Sequence, residues 1–257
     1  MLPKIKFQLP TIKKEGQMLN NFCQPRPTGW DWSQRIYKRH PELEEITKDI
    51  KDKNEFLKKC NKYAKNFINK NKKELLNNVN NFQKDWDKIG PKYFEILSQH
   101  FETDYPKKIK TIRAYVSIVP ICPRFLDKWS FNVRYDKPEQ MRKIAMHEIM
   151  HFLHFKKWME IFPKTKRKEL DSPYLVWKLS EILAPIILNN HPQIQKMAKT
   201  YSAGYKEFQN IKIGGKKLIP YFENLYQKHL KSNYSFEDFL RLCWGKTQQY
   251  RTIIEKI

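Results

Sequence analysis

The sequence predicts an α+β fold, rich in helix, in which a small β-sheet precedes one long helix. Three observations carry that prediction. Apolar residues recur at helical spacing through most of residues 42–89. Two β-branched, alternating segments follow, at 111–119 and 130–135. After them no glycine or proline interrupts the chain from Glu139 to Phe162, which leaves room for about six helical turns.

Each element has its own signal. Residues 1–40 contain Pro3, Pro10, Pro25, Pro27 and Gly29 and read as an irregular segment, anchored to a core by Trp30 and Trp32. A stripe of Ile46, Ile50, Leu57, Cys60, Ala64, Phe67, Leu75, Val79, Phe82 and Trp86 marks the helical stretch, with a break near 69–73. Gly90-Pro91 ends it, and a short helix follows at 93–101. Pro120 and Pro123 separate the two strands and mark an irregular or edge segment. Asp136 and Glu139 read as a D-x-x-E capping box with Pro138 in the first turn, so they are expected to open the long helix. A basic loop at 163–169 leads to a helix over 173–189, with Ser172 as its N-cap and Pro173 its first residue. Short helices around a Gly214-Gly215 turn follow, and a final helix at 236–257 opens behind Ser235. The expected organisation is an N-terminal irregular segment with backing helices over 1–105 and a sheet-plus-long-helix region over 106–257; the two can pack as a single domain.

Composition narrows the class. At 257 residues, with 7 glycines and 14% aromatics, the chain can bury a core. It holds no run of 18 apolar residues, so neither a transmembrane span nor a membrane partner is expected. Residues 1–8 lack the apolar stretch of a signal peptide. Cys23, Cys60, Cys122 and Cys243 stand far apart with no C-x-x-C pair, and read as reduced thiols of a cytoplasmic protein. The formal net charge is +23. Ten of the 50 basic residues are arginine and the rest lysine, a balance that fits compositional bias better than a dedicated reader of nucleic acid. Weak, salt-sensitive nucleic-acid binding is expected either way. Nothing in the sequence sets an oligomeric state.

The chemistry sits in His147-Glu148-Ile149-Met150-His151, an H-E-x-x-H pattern inside the long helix. Imidazoles four residues apart project from one helical face, roughly 6 Å apart along the axis, so two ring nitrogens can share one zinc ion. Glu148 falls beside the position where a water would sit, and supplies a base for it. The pattern therefore points to metal-assisted hydrolysis with one zinc per chain.

A catalytic zinc takes a third protein ligand. Glu181 is the candidate: a lone acid in the apolar stretch Leu179-Ser180-Glu181-Ile182-Leu183-Ala184-Pro185, costly to bury unless something positive compensates it. The competing reading pairs it with Lys178 on a solvated face. Pro185 removes the N–H that would bond to the Glu181 carbonyl and predicts a kink there. His154 lies about 10 Å along the axis from His147, too far to bind the same ion, and reads as a core or supporting histidine. Glu160 is further along the same helix. Glu169 and Asp171 fall in a polar loop, where Asp171 could orient a ligand histidine. A third histidine at position 157 would complete a metzincin pattern, but that residue is Lys157.

H-E-x-x-H on a helix, strands before it and a glutamate on the next helix resemble the gluzincin branch of the zincin-like metallopeptidases. The resemblance covers roughly residues 106–190. It implies that His147, His151 and Glu181 bind zinc, that Glu148 is the general base, and that the substrate is a peptide or protein. It also implies an edge strand, in 120–135, that receives an extended peptide, and a Tyr or His that steadies the oxyanion; Tyr205, Tyr221, His191 and His229 all qualify. Several such families place an Asp four residues after the third ligand. This chain has Pro185 there, so that support is missing or comes from elsewhere. Two alternatives stay open on sequence: a catalytically inactive zinc-binding interaction protein, and a basic nucleic-acid-binding module in which H-E-x-x-H is structural.

Overall fold

The computed structural model describes residues 2–24 and 31–256; Pro25, Pro27, Gly29 and Trp30 lie outside them. Within it the chain runs β1 (Lys4–Gln8), α1 (Ile12–Cys23), α2 (Ser33–Arg39), α3 (Pro41–Thr47), α4 (Lys53–Lys70), α5 (Lys72–Asp87) and α6 (Gly90–Phe101). Then come β2 (Thr111–Ser117), β3 (Arg124–Phe125), β4 (Ser130–Arg134) and the long helix α7 (Met141–Ile161). The remainder is α8 (Leu175–Asn190), α9 (Pro192–Ala198), α10 (Lys206–Gln209), β5 (Lys212–Ile213), β6 (Lys216–Lys217), α11 (Leu218–Leu230), α12 (Phe236–Gln249) and α13 (Arg251–Ile254). The fold class is the expected helix-rich α+β, with a small mixed sheet before the long helix. Two compact units emerge, one mainly Lys4–Lys88 with Thr111–Ala145, the other Ile89–Lys110 with Met146–Ile257.

The first unit holds the sheet, in the order β1-β2-β4-β3. β1, β2 and β4 are parallel, and β3 closes one edge antiparallel to β4. One face buries Ile5, Phe7, Ile112, Ala114, Val116, Phe131 and Val133. Phe82 of α5 meets Phe7 edge-on, with ring centroids 6.0 Å apart; truncating Phe82 to alanine would cost about 3–5 kcal/mol. Gln83 blunts the other edge. Its Oε1 accepts from the Phe7 N–H at 2.9 Å and its Nε2 donates to the Ile5 carbonyl at 3.1 Å, groups that would otherwise template another strand. α1 covers part of the opposite face and packs closely on α4. A Cβ on Gly16 would fall 2.1 Å from Asn61 Oδ1 and 2.7 Å from Asn61 Cα, so the site admits only glycine.

The second unit is helical. α8 lies at its centre, buried from Leu175 to Leu188, with α9, α11, α12 and α13 packed around it. β5 and β6 form a hairpin whose turn uses Gly214 and Gly215 at φ +52° and +76°, values that L side chains rarely adopt.

Several expectations need correction. Residues 2–24 and 31–40 are not irregular: Pro3 and Pro10 bracket β1, where Lys4 and Lys6 face out and Ile5 and Phe7 face in. Thr11 then caps α1, its hydroxyl accepting from the Lys14 N–H at 3.2 Å. Ile46 is exposed; Leu43 and Thr47 are the buried residues of α3. Gly90-Pro91 opens α6 as its first turn. Asp136 caps no helix, because its carboxylate is clamped by Arg134, at 2.9 and 2.8 Å, and by Arg39 at 3.1 Å. Burial pushes that carboxyl up, but the bonds and charges of the two guanidiniums outweigh it and hold it below the usual range. A short 3₁₀ turn at Pro138–Gln140 leads into α7 instead. Ser172 and Pro173 sit in a turn closed by Tyr174 N–H to the Asp171 carbonyl at 3.1 Å, so α8 starts at Leu175. The Ser235 cap is present, reciprocated by Asp238, but the last helix breaks at Tyr250 into α12 and α13.

Candidate metal centre

α7 presents His147 and His151 one turn apart, with ring centroids 4.6 Å from each other. Packing fixes both. His151 is 1% exposed and stacks on Phe155, one turn on, at 5.9 Å and 17°. The buried Tyr93 of α6 donates its hydroxyl to the Met146 carbonyl at 2.6 Å, anchoring the turn that carries His147. No local pattern signals Tyr93, which lies 53 residues away.

Glu181 comes to these rings from the middle of α8. Its Oε2 is 3.1 Å from His147 Nε2, and its Oε1 is 3.4 Å from His151 Nε2. The two Nε2 atoms are 3.0 Å apart. Four ligands at about 2.0–2.1 Å from a tetrahedral zinc stand about 3.3 Å from one another, so the spacing of the three donors fits one such ion. Their chemistry agrees: imidazole nitrogens and a carboxylate suit zinc. Burial adds an argument. The Glu181 side chain is 3% exposed and that of His147 is 17% exposed, so the carboxylate is removed from water while one imidazole keeps access to it. A neutral imidazole Nε2 either donates or accepts, and here two of them converge with a carboxylate; a shared cation satisfies all three. Among the described residues this is the group of His, Cys, Asp and Glu side chains able to hold a metal ion.

The competing third ligands are engaged elsewhere. Lys178 does not make Glu181 a surface pair. It is itself buried, and its amine donates to the Ile254 and Glu255 carbonyls at 3.1 and 3.0 Å, capping the end of α13. Glu169 accepts from the Lys166 N–H at 2.7 Å within its own turn. Asp171 pairs with Arg167 at 2.7 Å. Glu160 binds Thr103 at 2.8 Å and Lys156. His154 belongs to the core, stacked on Trp158 and edge-on to Phe101 and Phe155. Glu148 is buried at 6% exposure, next to His147 on α7.

Pro185, four residues after Glu181, supports no histidine. It lies inside an unbroken α8, and Gly204, at φ +64°, packs so closely on it that a Cβ there would come within 3.1 Å of Pro185 Cγ. The Asn189 amide, hydrogen-bonded to Ser202 in both directions at 2.8 Å, holds the same segment. Tyr205 follows directly and packs on Trp177, one turn before Glu181, at 5.9 Å. The other oxyanion candidates are placed differently. Tyr221 packs on Phe222 and Tyr250. His191 caps α9 through Nδ1, and His229 stacks on Phe239. Both flank His100, and burial pushes all three imidazoles below their ordinary pKa, with mutual repulsion adding to it at His100.

No family model, curated protein or solved structure matches the chain. The four free cysteines include three buried ones, Cys23, Cys60 and Cys243. Among the described residues no helix is long and apolar enough to cross a membrane.

Proposed function

We propose that the chain is a zinc-dependent hydrolase acting on peptide bonds, with His147, His151 and Glu181 as the zinc ligands. The observation that carries this reading is the convergence of three donors at 3.0–3.4 Å from two separate helices, with Glu181 wholly enclosed. A zinc ion held by these groups would supply Lewis acidity toward a substrate carbonyl and lower the pKa of an adjacent water to about 7.

The protein's own groups do the rest. Glu148, beside the ligand histidine that keeps solvent access, receives a proton from the attacking water and returns it to the leaving amine. The stacks of His151 on Phe155 and the anchoring of α7 by Tyr93 hold the ligands in register. Tyr205, packed on the helix that carries Glu181, is the residue we assign to the developing oxyanion.

Glu148→Gln separates this hydrolase from a metal-binding protein without catalysis. The change is nearly isosteric but removes the proton acceptor. At equal zinc occupancy, turnover of a quenched peptide library is expected to fall at least about 10²–10⁴-fold. Unchanged turnover would exclude Glu148 as the base, and a wild-type chain that takes up zinc but cleaves no peptide would leave only the binding role.

A further inference from the structure

The solvent-facing side of the sheet carries a row of cations that the protein does not neutralise. β1 and β2 pair in parallel with Lys4 opposite Thr111 and Lys6 opposite Arg113. All four side chains are exposed, because their neighbours Ile5, Phe7, Ile112 and Ala114 fill the other face. Lys128 is next in line: it precedes Trp129, whose carbonyl accepts from the Arg113 N–H at 3.1 Å. Lys14, from the first turn of α1, closes the row. Its Nζ lies 3.2 Å from the Tyr115 ring centroid and 5.1 Å from that of Phe125.

Like charges side by side on a sheet are destabilising, and a fold with no use for them would place carboxylates among them. Among the described residues none of Lys4, Lys6, Lys14, Arg113 and Lys128 takes part in an ion pair. Glu15, next to Lys14 in sequence, is turned inward and accepts from the Ser117 hydroxyl and the Ile118 N–H, both at 2.7 Å; Asp127, next to Lys128, is the exposed acid at that end of the row. The strain shows on Lys14. Burial, then the repulsion of Lys128 and Arg113, lowers its amine to about 8 against a partial opposing pull from Glu15.

We infer that this row is a binding surface for the phosphodiester backbone of single-stranded nucleic acid, read without regard to sequence. Lys4 and Lys6 are separated by about 6.6 Å along a strand, and Arg113 stands about 4.8 Å across from Lys6. Charges repeating along a line suit a polymer of phosphates better than a lone anion, which would need donors converging on one point. The face is a strip of two strands, the width of one nucleic-acid strand, with Tyr115 at its end. Lysine supplies most of the charge, so the contacts position a backbone and read no base. This surface and the His147/His151/Glu181 group stand on separate observations, and either can fail without the other.

The test uses the whole protein and a fluorescein-labelled dT20 strand, followed by anisotropy between 50 and 200 mM salt. The patch variant is K6Q/K14Q/R113Q/K128Q. The charge-matched control, K51Q/K107Q/K206Q/K216Q, removes four exposed lysines elsewhere. The patch variant is expected to bind at least tenfold more weakly at 100 mM salt, with the slope of log K against log salt reduced by about 2.8, or about 0.7 for each lost phosphate contact. The control is expected to stay within about twofold, with its slope unchanged. Equal losses in both variants would show that the charge is diffuse and overturn the assignment. So would binding of phosphatidylserine vesicles, abolished in the patch variant, by a wild-type chain that ignores dT20. Should the quadruple variant fail to fold, the exposed pair K6Q/K128Q answers the same question with an expected slope change of about 1.4.

Discussion

Glu15 gives the fold a pH dependence whose sign and size follow from its surroundings. It is fully buried, and burial raises its carboxyl from an ordinary 4.5 to about 7 despite the hydrogen bonds from Ser117 and Ile118, which pull the other way. A carboxyl raised in the folded state is one the fold prefers to keep protonated. Its contribution to stability is therefore complete below about pH 4.5 and is lost as pH rises through about 7. With those two values, the linkage relation gives a loss of about 2.5 kcal/mol between pH 5 and pH 8, at 1.36 kcal/mol per unit. The perturbation is Glu15→Gln, which keeps an oxygen for Ser117 and Ile118 but cannot ionise.

The assay is urea unfolding of both proteins at half-unit steps from pH 5 to pH 8. His40 complicates either curve alone. It is buried with Nε2 2.9 Å from the Ile118 carbonyl and Nδ1 2.8 Å from the Tyr63 hydroxyl, and burial lowers its pKa. That contribution is present above about 6.5 and is lost as pH falls, opposite in sign to Glu15. Because His40 titrates in both proteins, it cancels in their difference. The variant should gain about 2.5 kcal/mol on the wild type between pH 5 and pH 8. A difference that stays within about 0.5 kcal/mol over that range would refute the reasoning, since Glu15 would then ionise in the fold without cost.

Three further outcomes are expected. Glu181→Ala should lower zinc affinity steeply in competition with a chelator, whereas Glu169→Ala and Asp171→Ala should leave zinc in place and cost no more than about 1 kcal/mol of stability; the reverse ranking would move the third ligand into the loop. Elemental analysis of the wild type is expected to give one tightly bound zinc per chain, and His147→Ala and His151→Ala should each abolish it. Tyr93→Phe should cost about 1 kcal/mol in urea unfolding for the lost hydrogen bond to Met146, and no cost would show that the turn of α7 needs no such anchor.

What was legible in the sequence were features set by near neighbours. The helical stripe around Cys60, Ala64, Phe82 and Trp86, the alternation of β2, and the Ser235 cap all depend on residues a few positions apart, and all appear where the pattern puts them. The His147/His151 pair belongs to the same class, because helical geometry alone aligns it. What failed were local readings overruled by distant partners. Asp136 has the spacing of a cap, but Arg39, 97 residues earlier in the chain, competes for it. Lys178 has the spacing of a partner for Glu181, but the carbonyls of α13 take its amine. Neither Arg39 nor Ile254 is visible from a window around the motif.

The same contrast separates the two buried glutamates. Each sits in a helix, at 0% exposure for Glu15 and 2% for Glu181, and each must be compensated for the loss of water. Glu15 meets a hydroxyl and an amide N–H. Those donors are neutral and cannot offset a whole charge, so the carboxyl resolves the conflict by holding its own proton near neutral pH. Glu181 meets two imidazoles whose nitrogens are 3.0 Å apart. Those groups have lone pairs to give, and a carboxylate among lone pairs is a place for a cation. Only the second arrangement aims three donors at one point from two different helices. A buried acid therefore marks a metal centre through the groups that face it, and not through its burial. The metal assignment rests on that distinction, which Glu15→Gln and Glu181→Ala test from opposite sides. The first is expected to change the pH dependence of folding and leave zinc bound; the second is expected to release zinc.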